Sequence, residues 1–162
     1  MATCKWCGKK GLFLTTNVYG LCKNCSFIIL SNKQSDDRAI NDSLRLIEKT
    51  KNVETLISRY NFIIKKLEDY LPLYRHGINL YGKDLIDSIQ EVKYAKNQSI
   101  LELLQNDKEM VLNKIQSLKT DSSKRKNVEK FNSSLISVIP ELDKSADNFN
   151  NIKTNIGKLK IS

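Results

Sequence analysis

Four cysteines fall in the first 25 residues, as Cys4-Lys5-Trp6-Cys7 and then Cys22-Lys23-Asn24-Cys25, and the chain has no others. Two C-x2-C pairs at this separation place four thiolates where they can close a tetrahedral shell around one cation, and the pattern is that of structural Zn2+. A shell filled by protein sulfur leaves no open position for water, so the expected role is folding rather than catalysis. Two disulfides are the competing use of the same residues. The paired knuckles and the absence of a secretory leader favour metal and a reducing, cytoplasmic setting. Redox work by a C-x2-C pair would want a thioredoxin-like βαβ context, which this sequence lacks.

Little else in the chain offers chemistry. His76 is the one histidine and stands in Leu73-Tyr74-Arg75-His76-Gly77, which reads as a loop. The carboxylates Asp36-Asp37, Glu68-Asp69 and Asp107/Glu109 form no recognisable acid and base pair, and Asp36-Asp37 suits a helix N-terminus. There is no glycine-rich phosphate loop and no G-x-S-x-G elbow. The expectation is a protein that binds rather than catalyses.

The cysteines need a scaffold. Gly8 after Cys7 suits the tight turn in which backbone amides point at thiolate sulfur. Leu12-Phe13-Leu14-Thr15 and Val18-Tyr19-Gly20-Leu21 read as short strands joined at Thr16-Asn17. After the second knuckle, Ser26-Phe27-Ile28-Ile29-Leu30 reads as the opening of a helix. On Cys4-x2-Cys7-Gly8 and Gly20-Leu21-Cys22-x2-Cys25, residues 4–25 resemble the treble-clef and zinc-ribbon class of four-cysteine modules. A treble clef is implied if a helix follows the second knuckle, and a zinc ribbon if a strand does. The resemblance implies a metal, and it leaves DNA, RNA, protein or simple stabilisation open as the module's purpose.

The formal charge is +9, and residues 1–35 hold Lys5, Lys9, Lys10, Lys23 and Lys33 with no acid. Four thiolates on Zn2+ carry a net negative charge, so a loaded module is only modestly basic. Lys5, Trp6, Lys9, Lys10, Tyr19 and Lys23 are the candidate contacts to a partner. Trp6 or Tyr19 could stack on a base while the lysines meet phosphates, or Trp6 could instead pack the module onto the helical body. Lys124-Arg125-Lys126 reads as a solvated linker. The abundance of lysine, isoleucine and asparagine also matches what an AT-rich genome encodes.

Beyond residue 30 the sequence is helical and poor in helix breakers. Val53, Leu56, Tyr60, Ile63, Leu67 and Tyr70 follow the 3-4 spacing of a helical seam, widened by Ile57, Ile64 and Leu71. Helices are expected at about 36–71, 84–118 and 125–160, the first ending at Pro72 and the third broken near Pro140. Short connectors make successive helices antiparallel neighbours. The fold expected is mainly α: a zinc module over 1–30, then an elongated antiparallel three-helix bundle or coiled coil over 31–162. Some seams could instead pair two copies into a homo-oligomer.

The functional expectation is a non-enzymatic, zinc-containing regulatory adaptor working through protein contacts. A phage or mobile-element accessory role would suit its size and composition. The alternative is a DNA- or RNA-binding protein using the basic, aromatic module. No apolar run is long enough to span a bilayer, so a membrane is not expected as a partner.

Overall fold

The computed structural model describes residues 1–162. It is mainly helical, with one small antiparallel sheet at the N-terminus. Strand β1 (Ala2–Thr3) pairs with β2 (Lys10–Gly11), Ala2 opposite Gly11 and Thr3 opposite Lys10. Helices follow as α1 (Lys23–Ile47), α2 (Val53–Glu68), the short α3 (Leu71–Arg75), α4 (Leu85–Ser117), α5 (Asp121–Val138) and α6 (Phe149–Gly157). A 3-10 turn over Ile139–Glu141 follows α5.

The strands differ from those expected at 12–15 and 18–21. The first knuckle is itself the hairpin turn. The Cys4 N–H donates to the Lys9 carbonyl at 2.9 Å and the Gly8 N–H to the Cys4 carbonyl at 3.0 Å, with Gly8 at φ 70°. The apolar run after it makes a turn (Leu14 N–H to Gly11 carbonyl, 3.4 Å), so Leu12 and Phe13 alternate towards no sheet and stand in solvent. Asn17 organises the next turn. Its Oδ1 accepts the N–H groups of Tyr19 and Leu21, both at 3.0 Å, and Thr16 bridges to Cys22.

The helix expected at 36–71 is two helices. α1 opens in the second knuckle with Cys22 at its N-cap, so the polar run from Ser31 to Asp37 lies inside it. Asp36 and Asp37 therefore cap nothing. Asp37 pairs with Lys33 one turn earlier at 2.5 Å, and Asp36 accepts Lys66 Nζ at 2.7 Å and the Tyr70 hydroxyl at 2.8 Å. The break falls where Asn52 caps α2, its Oδ1 accepting the Thr55 N–H at 2.8 Å. Pro72 sits in the first turn of α3, where its missing N–H costs no helical bond. α5 starts at Asp121, through the basic cluster at 124–126, because the Thr120 side chain accepts the Ser123 N–H. Pro140 ends that helix region in the 3-10 turn. Residues 142–148, inside the helix expected at 125–160, form a folded loop whose Asp143 Oδ1 accepts the Ser145 N–H at 3.0 Å.

Chain contacts divide the protein into two compact units. One comprises residues 1–48 and 61–89, the other 49–60 and 90–162. The first is built on Leu21, Ile29, Ile63, Leu67, Ile78 and Leu85, all buried. The second is built on Leu56, Tyr60, Ile100, Leu104, Phe131 and Ile156, packed as helices with their apolar faces inward. Within it, the fully buried Asn97 of α4 holds the 142–148 loop. Its Nδ2 donates to the Asp143 carbonyl (3.0 Å) and to Asn148 Oδ1 (3.3 Å), and its Oδ1 accepts the Asp143 N–H (2.8 Å). The seam residues Leu56, Tyr60, Ile63, Leu67 and Tyr70 are all buried, as their spacing implies.

Candidate metal centre

The first knuckle turns back on Gly8, the second opens α1, and the Asn17–Leu21 turn carries the chain between them. Gly20 is needed in that turn on two counts. It sits at φ 76°, and a Cβ there would lie 2.7 Å from Lys5 Cδ, whose aliphatic stem crosses it. The Lys5 N–H donates to the Gly20 carbonyl at 2.9 Å, which ties the two knuckles together. A helix after the second knuckle, with no further strand, is the treble-clef form of the resemblance.

The four cysteine sulfurs all lie within 4.8 Å of one another, and Cys7 Sγ is 3.9 Å from Cys22 Sγ. Thiolates ~2.3 Å from a shared tetrahedral ion stand about 3.8 Å apart, while a disulfide would need about 2.05 Å. All four cysteines are free, so the spacing fits a metal shell and no disulfide. Cys4 and Cys22 are buried, Cys25 is half-buried and Cys7 is exposed. The Cys22 N–H donates to Cys4 Sγ at 3.3 Å.

The electrostatics of the cluster point the same way. Burial pushes the Cys4 thiol up, but the backbone N–H groups of Cys22, Cys7 and Trp6 outweigh it and bring it down to about 6. Burial, followed by the side chains of Cys22, Cys7 and Cys4, pushes Cys25 up to about 12. A cation among the four sulfurs would stabilise the thiolate form that such a shell requires. The donor set therefore fits a bound metal, which would be held by Cys4, Cys7, Cys22 and Cys25.

The other sequence candidates divide into two groups. Lys5 and Trp6 reach the 72–78 segment of the same unit. Lys5 Nζ donates to the Gly77 carbonyl at 3.4 Å, and Trp6 meets His76 edge-on with ring centroids 5.3 Å apart. His76 Nδ1 lies 2.8 Å from the Pro72 carbonyl, which steadies that ring. Lys9, Lys10 and Lys23 stay exposed, and Tyr19 is half-buried. Sequence reasoning missed His76 and Gly77 as the seat of the knuckle, since a lone histidine in a loop carries no spacing signal. It also missed the exposure of the loop beyond the hairpin: Phe13 is 99% exposed, Val18 93% and Leu12 80%. No helix is long and apolar enough to cross a membrane.

Comparison with protein-family models, with curated proteins and with solved structures finds no match to this chain.

Proposed function

We propose that this protein is a non-enzymatic adaptor, in which a zinc ion held by Cys4, Cys7, Cys22 and Cys25 stabilises a small module that docks on another protein. The assignment of zinc rests on the all-sulfur donor set and its near-tetrahedral spacing. The observation that carries the docking role is the fixed, fully solvated apolar loop. Leu12, Phe13 and Val18 expose nearly all of their side chains beside Lys9 and Lys10. Exposing large apolar groups on a short, metal-fixed loop costs solubility and gives the fold nothing, whereas an interface covers them.

The nucleic-acid reading draws on the exposed Lys9, Lys10 and Lys23. It is weakened by the engagement of Lys5 with the Gly77 carbonyl and of Trp6 with the His76 ring, interactions that a nucleic acid would compete with. The deciding experiment compares zinc-loaded wild type with a Phe13→Ser/Val18→Ser variant in quantitative affinity capture from the native cell, alongside anisotropy against duplex DNA, single-stranded DNA and RNA. Loss of a defined protein from the variant's captures supports the adaptor. Identical captures, or salt-dependent nucleic-acid binding lost in a Lys9→Gln/Lys10→Gln/Lys23→Gln variant, overturns it.

A further inference from the structure

In the second unit, α4, α5 and the start of α2 line a cavity of about 600 Å3. One wall is the Leu104–Lys114 stretch of α4, the other the Asn127–Val138 stretch of α5, each roughly 15 Å long at 1.5 Å per residue. The floor is apolar, from buried Leu104, Phe131 and Val138, with half-buried Val111 and the 59% exposed Met110 at its side. Three cations, Lys51, Lys114 and Lys130, stand around it, and none of them is ion-paired. The N-terminal turn of the 16-residue α2, capped by Asn52, also lines it and presents the positive end of that helix. Glu54 and Asp107 are the opposing acids. Asp107 is pushed up by burial alone, so covering the cavity favours its neutral form.

We propose that this cavity binds an anionic amphiphile: a single apolar chain lying between α4 and α5, with a carboxylate or similar head group among Lys51, Lys114, Lys130 and the α2 N-terminus. The volume falls in the range of small-molecule sites, and apolar Val53, Leu104, Met110, Val111, Phe131 and Val138 share the lining with lysines, two acids and amide and hydroxyl groups. Charge complementarity selects the head group, since unpaired lysines and a helix N-terminus attract an anion and repel a cation. Two lining helical stretches of roughly 15 Å suit an unbranched chain better than a compact ring. The site shares no residue with the metal module, so the inference stands or falls independently of the adaptor reading.

The test uses full-length, metal-loaded protein. Dodecanoate is titrated below its micellar concentration by calorimetry and by amide-resolved NMR, with dodecyltrimethylammonium as the charge-reversed control. The expected result is saturable one-to-one binding of dodecanoate, about tenfold or more tighter than the cation, with shifts centred on Val111, Phe131 and Ser134. The exposed pair Lys114→Glu/Lys130→Glu should keep the helical spectrum, lose dodecanoate about tenfold and gain the cation. Ser134→Trp, which fills the space between the helices, should abolish both. Equal affinity for the two head groups, absence of saturation, or shifts centred on Phe13 and Val18 would overturn the proposal. So would a concentration-dependent shift of the same cavity residues without ligand, which would make a second copy of the chain the occupant.

Discussion

Removing the metal should unfold the N-terminal module and leave the helices of the second unit standing, and the protein carries its own reporter for this. Trp6 is the only tryptophan, lies between two cysteine ligands, and is 40% exposed with its ring against His76. Within residues 1–25 only Cys4, Leu21 and Cys22 are buried, and burying one leucine contributes roughly 1.5–3 kcal/mol. A structural four-ligand zinc site contributes about 10–16 kcal/mol, several times what that core can supply. A metal held there would therefore decide whether the module is folded. Chelation, or Cys22→Ser, should shift Trp6 emission to the red as the ring leaves His76. Far-ultraviolet ellipticity should fall only by the share of the module and the first turns of α1. Metal content is measured on the same samples by elemental analysis. The reasoning fails if the metal is shown to be gone while Trp6 emission and amide protection of residues 4–22 are unchanged, or if the whole helical signal collapses with it.

Other consequences follow from single positions. Gly20→Ala forces a Cβ into the left-handed region and against Lys5, costing about 1–2 kcal/mol. Metal affinity, read by competition with a chromophoric chelator, should weaken by roughly tenfold, because 1.4 kcal/mol is a factor of ten. A double-mutant cycle on Trp6→Leu and His76→Leu should return a coupling of about 0.5–1.5 kcal/mol in thermal or denaturant unfolding, the scale of an edge-to-face ring pair. Asn97→Ala strands the half-buried Asp143 N–H, leaves its carbonyl only the Ala146 N–H, and should destabilise the second unit by about 1–3 kcal/mol, measured by urea unfolding. Burial, and then Asp37 and Asp36, push Tyr81 up to about 12. Burial, and then Asp36, raise Tyr70 as well. Both groups have raised folded-state values, so their contribution is complete below pH ~10 and is lost as pH rises from there through about 12, because the unfolded chain gives up its phenolic protons first. Stability should decline over that window, and Tyr81→Phe should flatten the decline.

The cysteine cluster was legible because its signal is local. Cys4, Cys7, Cys22 and Cys25 state their own spacing, and the residues between them need only turn. The helical seams of α2 were legible for the same kind of reason, since Leu56, Tyr60, Ile63 and Leu67 all bury on one period. The strands were misplaced because an apolar run such as Leu12-Phe13-Leu14 reads as a strand only if something covers it, and nothing in this chain does. The opening of α1 after the second knuckle was legible, but its unbroken run through Ser31, Asn32 and the Asp36-Asp37 pair was not, because these polar residues suggest a helix boundary. Their acids are instead satisfied by Lys33, Lys66 and Tyr70, and two of these partners lie some thirty residues away in sequence. The same limit hid Asn97. A buried asparagine in the weakly patterned middle of α4 looks like a flaw until its partners at Asp143 and Asn148 are seen. Sequence periodicity reports what a residue does for its own element, and these residues act for another.

That distinction also orders the candidate contacts of the module. Lys5 and Trp6 lie between Cys4 and Cys7, and both are used to seat the knuckle on Gly77 and His76. On the proposed adaptor reading, the surface offered to a partner is the turn beyond the hairpin, with Leu12, Phe13 and Val18 in solvent and Lys9 and Lys10 exposed before it in sequence. An apolar tip flanked by cations suits a partner surface with an apolar pocket and an acidic rim. The apolar part would supply affinity, and the lysines would supply orientation and association rate. The two contributions separate experimentally. Phe13→Ser should raise the dissociation rate at any ionic strength, whereas Lys9→Gln/Lys10→Gln should slow association and reduce its dependence on salt. A partner whose binding responds only to the lysines, with Phe13→Ser silent, would move the contact off this loop and onto the charged face of the module.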